Sequence, residues 1–340
     1  MTNSALPFDD IRNLVADLPE GGKQSRVQAA ARNRQLVKPE GGLGRLEEIA
    51  LWLAQWQGRE RPSVDRPFAV IFTASHGFED RRFPLYTAGH ARQMMETYAA
   101  GGGASNQIAA TSGIGLKVFE LALDIPTEDT RVAAALDERS AAATFAFGME
   151  AIAGEPDLLS LGDLGGGSSI VASAICCALY GGDPGDWCEH DSAIPDAHEQ
   201  WPHDIVRRTL DHHANHLRDP LEIMRRVGGR ETCAIAGAII ASRLQGIPVV
   251  LDGFSVCAAA ALLQALNPRA LDHCVAGHVS PGHPHRNVLQ KLSKRPLLDL
   301  DIALAEGAGA TLAAGIIKAA AATHNDMATR AQAGVTGFGE

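Results

Sequence analysis

The chain has 340 residues, is 46% apolar and 21% charged, and carries a formal net charge of −10. That length supports a sizeable core, as two domains or as one α/β domain with an attached lobe. The acidity and the absence of any long Lys/Arg run argue against nucleic acid or an anionic membrane as partner, and an anionic ligand would have to be caught by local groups against the overall field.

The first ten residues contain neither a basic nor an apolar segment, so no secretory signal is expected. No apolar stretch approaches the about 18 residues of a membrane-spanning helix. The six cysteines (Cys176, Cys177, Cys188, Cys233, Cys257 and Cys274) form no C-x-x-C pair and mostly sit in Ala-rich context. They read as reduced, mostly buried thiols of a cytoplasmic protein.

Asp9 to Leu18 and Gly22 to Leu36 read as polar amphipathic helices. Lys38-Pro39-Glu40-Gly41-Gly42-Leu43-Gly44 is a loop, after which Leu46, Ile49, Ala50 and Leu53 give a helical stripe. Pro67 to Ala74 is a continuous apolar run, the mark of a buried parallel strand. It ends in Ser75-His76-Gly77, where an open α/β sheet would meet a ligand; His76 is either a ligand contact or a structural turn histidine. Helices follow over Gly89 to Ala100, which carries Gln93, and again after Gly101-Gly102-Gly103.

Leu116 to Leu123 reads as a strand and Asp137 to Ala153 as a helix. Leu158 to Leu161 is a short strand running into Gly162-Asp163-Leu164-Gly165-Gly166-Gly167-Ser168-Ser169 and then the helix Ile170 to Tyr180. Strand, glycine-rich turn, hydroxyls and helix is the layout of a phosphate site, although a glycine turn with ordinary serine caps explains much of it. Gly181 to Pro202 reads as a surface loop. Asp204 to Leu217, Pro220 to Val227 and Thr232 to Leu244 read as helices. Ile247 to Phe254 is a second buried strand, Ser255 to Leu266 a helix, and Asp272 to Ser280 one more strand with its exit loop. His212 and His216 share a helix face, and His278, His283 and His285 crowd a segment whose prolines read as a turn. Neither group is completed at a known ligand spacing, so no metal is expected.

Ala303-Leu304-Ala305-Glu306-Gly307-Ala308-Gly309-Ala310 places one carboxylate in a small, apolar run before an Ala-rich helix reaching Thr323. Glu306 either helps start that helix or, being poorly solvated, has a raised pKa and serves as a base near neutral pH. The alternation of strands and helices implies an α/β fold with a doubly wound, mainly parallel sheet. Residues 1–60 plus about 305–340 would form a small helical lobe on an α/β (Rossmann-like) domain of 61–304, with the site between sheet edge and lobe.

Several segments, in order, resemble one family: the nicotinate-nucleotide–dimethylbenzimidazole phosphoribosyltransferases of cobalamin lower-ligand assembly. They are Lys38 to Glu47, Gly228-Gly229 with the Ala-Ile-Ala-Gly helix, Pro248 to Phe254, Gly277-His278-Val279-Ser280 and Leu304 to Ala310. The resemblance implies phosphoribosyl transfer from nicotinate mononucleotide to 5,6-dimethylbenzimidazole or a related azole, with Glu306 as catalytic base. It further implies Asp163, Gly165, Gly166, Gly167, Ser168, Ser169 and Ser280 around phosphate and ribose, and Ser75, His76, Gln93 and Leu164 around the acceptor base. No cofactor or metal is implied. Partners would be the small-molecule substrates and a second copy of the chain as a homodimer.

The chain also departs from the family pattern. Ser75-His76-Gly77 stands where an Asp or Asn precedes the His-Gly. The 162–170 loop has a shortened acid and lacks one hydroxyl and an amide. A lysine that would help hold the phosphate falls at Pro202, with Arg207 or Arg208 as substitutes. Three readings follow: a working phosphoribosyltransferase, a transferase with a different donor, or a non-catalytic paralogue binding a nucleotide- or benzimidazole-like ligand.

Overall fold

In the computed structural model, residues 7–80, 82–152, 154–189 and 194–336 are described. Five strands form one wholly parallel sheet: β1 (Pro67–Thr73), β2 (Gly115–Glu120), β3 (Leu158–Asp163), β4 (Val249–Leu251) and β5 (Cys274–Ala276). Their order is β2-β1-β3-β4-β5, so the direction of winding reverses between β1 and β3. The registers Phe72↔Asp163, Leu161↔Leu251 and Leu251↔Ala276 bring the carboxyl ends of the strands to one edge. A crevice at that edge, at a reversal point, is where an open α/β sheet binds its ligands.

The apolar runs are buried because helices cover both faces. On one face, Val70 and Phe72 of β1 and Leu159 and Leu161 of β3 join α6 (Glu138–Glu150), α7 (Ser168–Tyr180), α10 (Arg230–Gln245) and α11 (Gly253–Leu266) in the main core. On the other, Ala69, Leu158 and Val250 meet Ala310, Ala313, Ala314 and Ile317 of α13 (Ala308–Asp326), with Ile49 and Leu53 of α3 (Arg45–Gln57) in the same cluster. The alternation of Ala69 and Ile71 with Val70 and Phe72 between clusters is the two-residue period of a strand. Alanines along α13 let its backbone approach the sheet closely. At the edges, α4 (Ala88–Ala99) and α5 (Ala104–Ser112) pack against β2, while α8 (Trp201–His213) and α9 (Pro220–Val227) pack against α7.

α2 (Lys23–Gln35) packs on α3 and is tied to the end of α13 by Arg32, which donates to the carbonyls of His324 (3.0 Å) and Asn325 (2.7 Å). α1 (Pro7–Ala16), grouped with that lobe by position in sequence, packs instead on α6 and α11, its Phe8 N–H donating to Glu138. Phe8, Ile11 and Val15 belong to the main core, and an apolar helical stripe goes where it can be buried.

β2 stops at Glu120 rather than Leu123, because Ala122 takes φ 53° after Leu121 has donated to Thr73. The prolines after Ser280 do not make a loop alone: His283–Lys291 is a helix, α12, with Pro284 in its first turn, where the missing N–H costs nothing. Among the described residues no helix is long and apolar enough to cross a membrane.

Candidate active site

A cleft of about 430 Å³ opens at the carboxyl edge of the sheet. Its walls come from Asp163 to Gly166 with Ser168 and Ser169 at and beyond the end of β3, Phe254 and Ser255 after β4, Ser280 after β5, and the segment Ala303 to Glu306. Leu85, Tyr86 and the helix α4 close the remaining side. The ends of β3, β4 and β5 thus contribute directly, and those of β1 and β2 do not.

Glu306 sits immediately before α13 but does not cap it. The cap is Gly307, at φ 78°, and the first-turn donors are taken by Asp252 at the end of β4: its carboxylate accepts from Gly307 N (2.9 Å) and Ala310 N (2.7 Å). Asp252 thus performs the helix-start task, and the Glu306 carboxylate is left to the cleft. Glycine suits the left-handed conformation at 307, and the facing Gly162 has no room for a side chain, since a Cβ there would lie 2.6 Å from the Gly307 Cα. Tyr98 of α4 donates its hydroxyl proton to Glu306 Oε2, and Ser105 donates to the Glu306 carbonyl at 2.6 Å. Burial pushes the Glu306 carboxyl above its ordinary range, while the Tyr98 hydrogen bond and the nearby His90 draw it partly back.

The glycine-rich turn supplies the other end of the site. Gly165, Gly166, Ser168 and Ser169 line the cleft. Gly167, at φ 101°, turns the chain into α7 without lining it, and no side chain caps that helix. Uncapped N–H groups at a helix start favour an anion. Ser280 also lines the cleft, its N–H donating to His285 Nδ1 (3.0 Å) with its hydroxyl 2.9 Å from the same nitrogen. Burial holds the His285 pKa down to about 3, so the ring is neutral and Nδ1 is the acceptor.

Leu164 and Asp163 are at the cleft, Asp163 largely beneath its surface at 4% exposure. Burial, then the charge of Glu231, pushes the Asp163 carboxyl well up. Glu231, also buried, is raised to about 7 by desolvation, and His76 Nε2 stands 3.8 Å from it. Burial lowers His76 to about 4, so the contact joins a neutral imidazole to a carboxyl group rather than two charges.

Three residues expected around the acceptor base do not line the cleft. His76 is buried at 2% exposure, stacked on Phe78 under the glycine turn. Ser75 spends its hydroxyl on the Leu123 carbonyl (2.9 Å). Gln93 lies on the exposed face of α4, whose inner face is Ala91, Met94 and Tyr98. Neither arginine offered in place of the phosphate lysine lines the cleft: Pro202 does, but Arg207 and Arg208 are exposed on α8, Arg207 pairing with Asp204. Among the described residues, no Lys or Arg lines the cleft and no three His, Cys, Asp or Glu side chains converge as metal ligands. Tyr98, Ser105, Asp252 and His90 were not singled out by sequence. Tyr98 falls seven residues after Ala91 on an apolar helical stripe, so it reads as core, and nothing in the pattern reveals where its hydroxyl points.

A family model described as phosphoribosyltransferase matches residues 19–335. The nicotinate-nucleotide–dimethylbenzimidazole phosphoribosyltransferase of Allorhizobium ampelinum is 52% identical over 339 residues, which is 100% of this chain and 99% of that protein. The protein of the same name from Rhizobium etli is 52% identical over 337 residues, 99% of each chain. Among solved structures, CobT from Thermus thermophilus superimposes with a TM-score of 0.83 at 35% identity, covering 92% of this chain and 99% of that one.

Proposed function

The chain belongs to the nicotinate-nucleotide–dimethylbenzimidazole phosphoribosyltransferase family, and we propose that it transfers phosphoribose from nicotinate mononucleotide to 5,6-dimethylbenzimidazole, with Glu306 as the base. The products are α-ribazole 5′-phosphate and nicotinate. The observation that carries the residue assignment is a raised carboxylate, uncommitted to its helix, in the cleft that also receives the uncapped start of α7. Full-length identity of 50–52% with curated relatives of that name leaves the different-donor and non-catalytic readings unfavoured.

The chemistry needs little more. The bond from ribose C1′ to the pyridinium nitrogen breaks with its electron pair going to nitrogen, which becomes neutral, so the leaving ring requires no acid. One azole nitrogen bonds to C1′ and the ring turns cationic, which makes the other N–H acidic. Glu306 takes that proton. The glycine turn, Ser168, Ser169 and Ser280 would hold phosphate and ribose, and Leu164 with Met94 would bound the acceptor ring. Holding two planar rings on either side of C1′ supplies the rest as orientation.

The test is dimethylbenzimidazole-dependent release of nicotinate from its mononucleotide. Glu306→Gln should lower kcat by at least about a hundredfold, in line with general-base contributions, while leaving mononucleotide binding in place by calorimetry. In the wild type, kcat/KM should fall as pH drops through the Glu306 pKa, which lies above the ordinary carboxylate value. A wild type that binds neither substrate would overturn the proposal. We further propose a cytoplasmic homodimer, as the family resemblance implies; light scattering should give twice the 35.9 kDa chain mass, and a monomer would contradict it.

A further inference from the structure

The α4–α5 hairpin does more than wall the cleft. α4 ends at Ala99 and α5 begins just past Gly101-Gly102-Gly103, so Tyr98 and Ser105 face Glu306 from the two sides of one turn. The Tyr98 ring is 2% exposed and packs on Ile71 of β1 and Leu164, with Met94 and Met95 at its edge. Phenylalanine would fill that space equally well. A hydroxyl in such surroundings is costly unless it is bonded, and its acceptor is Glu306 Oε2.

We infer that Tyr98 is a positioning residue for the base: by donating to Oε2 it fixes the plane of the Glu306 carboxylate and leaves Oε1 to receive the azole proton. This rests on the assignment of Glu306 as the base. The backbone on either side of that carboxylate is already held, by Ser105 at the Glu306 carbonyl and by Asp252 at Gly307 N. The side chain is the one part left to rotate, and Tyr98 is what stops it. The second effect is on charge. Desolvation favours the protonated carboxyl, and a phenol donating to the anion opposes it, favouring the ionised form of Glu306. Tyr98 does not enter the proton transfer. Burial and the neighbouring carboxylate raise its own pKa, so it keeps its proton while Glu306 gains and loses one.

The groups that bear on Glu306 can be named wall by wall. His90 and Tyr98 come from α4, Asp163 from the end of β3, and Glu189 lines the opposite side of the cleft. His90 acts in the same direction as Tyr98, and Asp163, when charged, acts against both. Removal of the Tyr98 hydroxyl therefore takes away the larger of the two named effects that oppose desolvation, leaving His90, and the Glu306 pKa should rise.

Two measurements on the full chain test this. In Tyr98→Phe, kcat at neutral pH should fall roughly ten- to hundredfold, the range for loss of a hydrogen bond to a charged group. The KM for nicotinate mononucleotide should change less than about threefold, and the acid limb of kcat/KM should move up by about one pH unit. Carbon-13 NMR of the glutamate carboxyls, with Glu306 assigned by the Glu306→Gln spectrum, should show the same rise in its pKa whether or not turnover is detectable. Gly103→Ala provides an independent variant, because a Cβ there overlaps the Tyr98 ring and must displace it. It should reproduce the shifted limb with the tyrosine still present. A Tyr98→Phe enzyme whose acid limb and Glu306 titration both match wild type would overturn the positioning role. If instead the NMR shift appears but wild type releases no nicotinate, the hydrogen-bond coupling stands and the functional assignment falls.

Discussion

Glu231 shows how a buried group outside the cleft lining still writes itself into the pH dependence of the molecule. It is 1% exposed, and its pKa is raised to about 7 because burial disfavours the anion. The folded state therefore holds a proton that the unfolded chain releases near its ordinary value, so the associated stability is present at low pH and is lost as pH rises through about 7. Its neighbour His76 has the opposite sign: lowered to about 4 by burial, it contributes stability above its unfolded pKa that is lost as pH falls. Glu231→Gln deletes the first effect, keeps the second, and relieves the Asp163 carboxyl of the Glu231 charge, which acts in the same direction as the first. Melting of the variant against wild type across pH 5 to 8.5 should give a gap that moves in favour of the variant by roughly 1–3 kcal/mol between pH 5 and about 7 and levels off above. A constant gap would mean that Glu231 is already ionised in the folded protein.

At the scale of elements, legibility followed burial symmetry. β1 and β4 are readable because strands covered on both faces carry unbroken apolar runs, and α7 and α13 because they begin just past glycine-rich turns. α12 is not, since Gly282 and Pro284, read as a turn, are also the residues that open a helix. The glycine turn and Glu306, which line the cleft, draw notice in the sequence for a related reason: a carboxylate or hydroxyls among small residues stand out. The family resemblance places Ser75, His76 and Gln93 around the acceptor base, His76 also by its position at a strand end, but position in the chain does not determine the direction of a side chain. The chain after β1 folds His76 beneath the turn, and a single helical step separates exposed Gln93 from cleft-lining Met94. Conversely, Tyr98 reads as core by its period, and its ring is core. Only the fold, which carries α4 past residue 306, gives its hydroxyl an acceptor more than 200 positions away.

At the scale of the whole molecule, charge and substrate oppose one another. The chain carries a formal −10, and Asp163, Glu189 and Glu306 line the cleft, with His90 the one basic side chain among the described lining residues. Nicotinate mononucleotide brings a phosphate and a carboxylate. Such a site would hold phosphate through neutral donors and the start of α7, which act only at contact, while the long-range field would repel the ligand on approach. A lysine-held phosphate would give the reverse balance, with attraction that salt weakens. Raising NaCl from 10 to 150 mM shortens the screening length from about 30 Å to about 8 Å, which removes the repulsion and spares the contacts. The KM for nicotinate mononucleotide should therefore fall with salt over this range, by about twofold or more, with kcat little changed. A KM that rises with salt would show that a cation outside the described lining dominates phosphate binding, and the neutral-donor account of the site would be wrong.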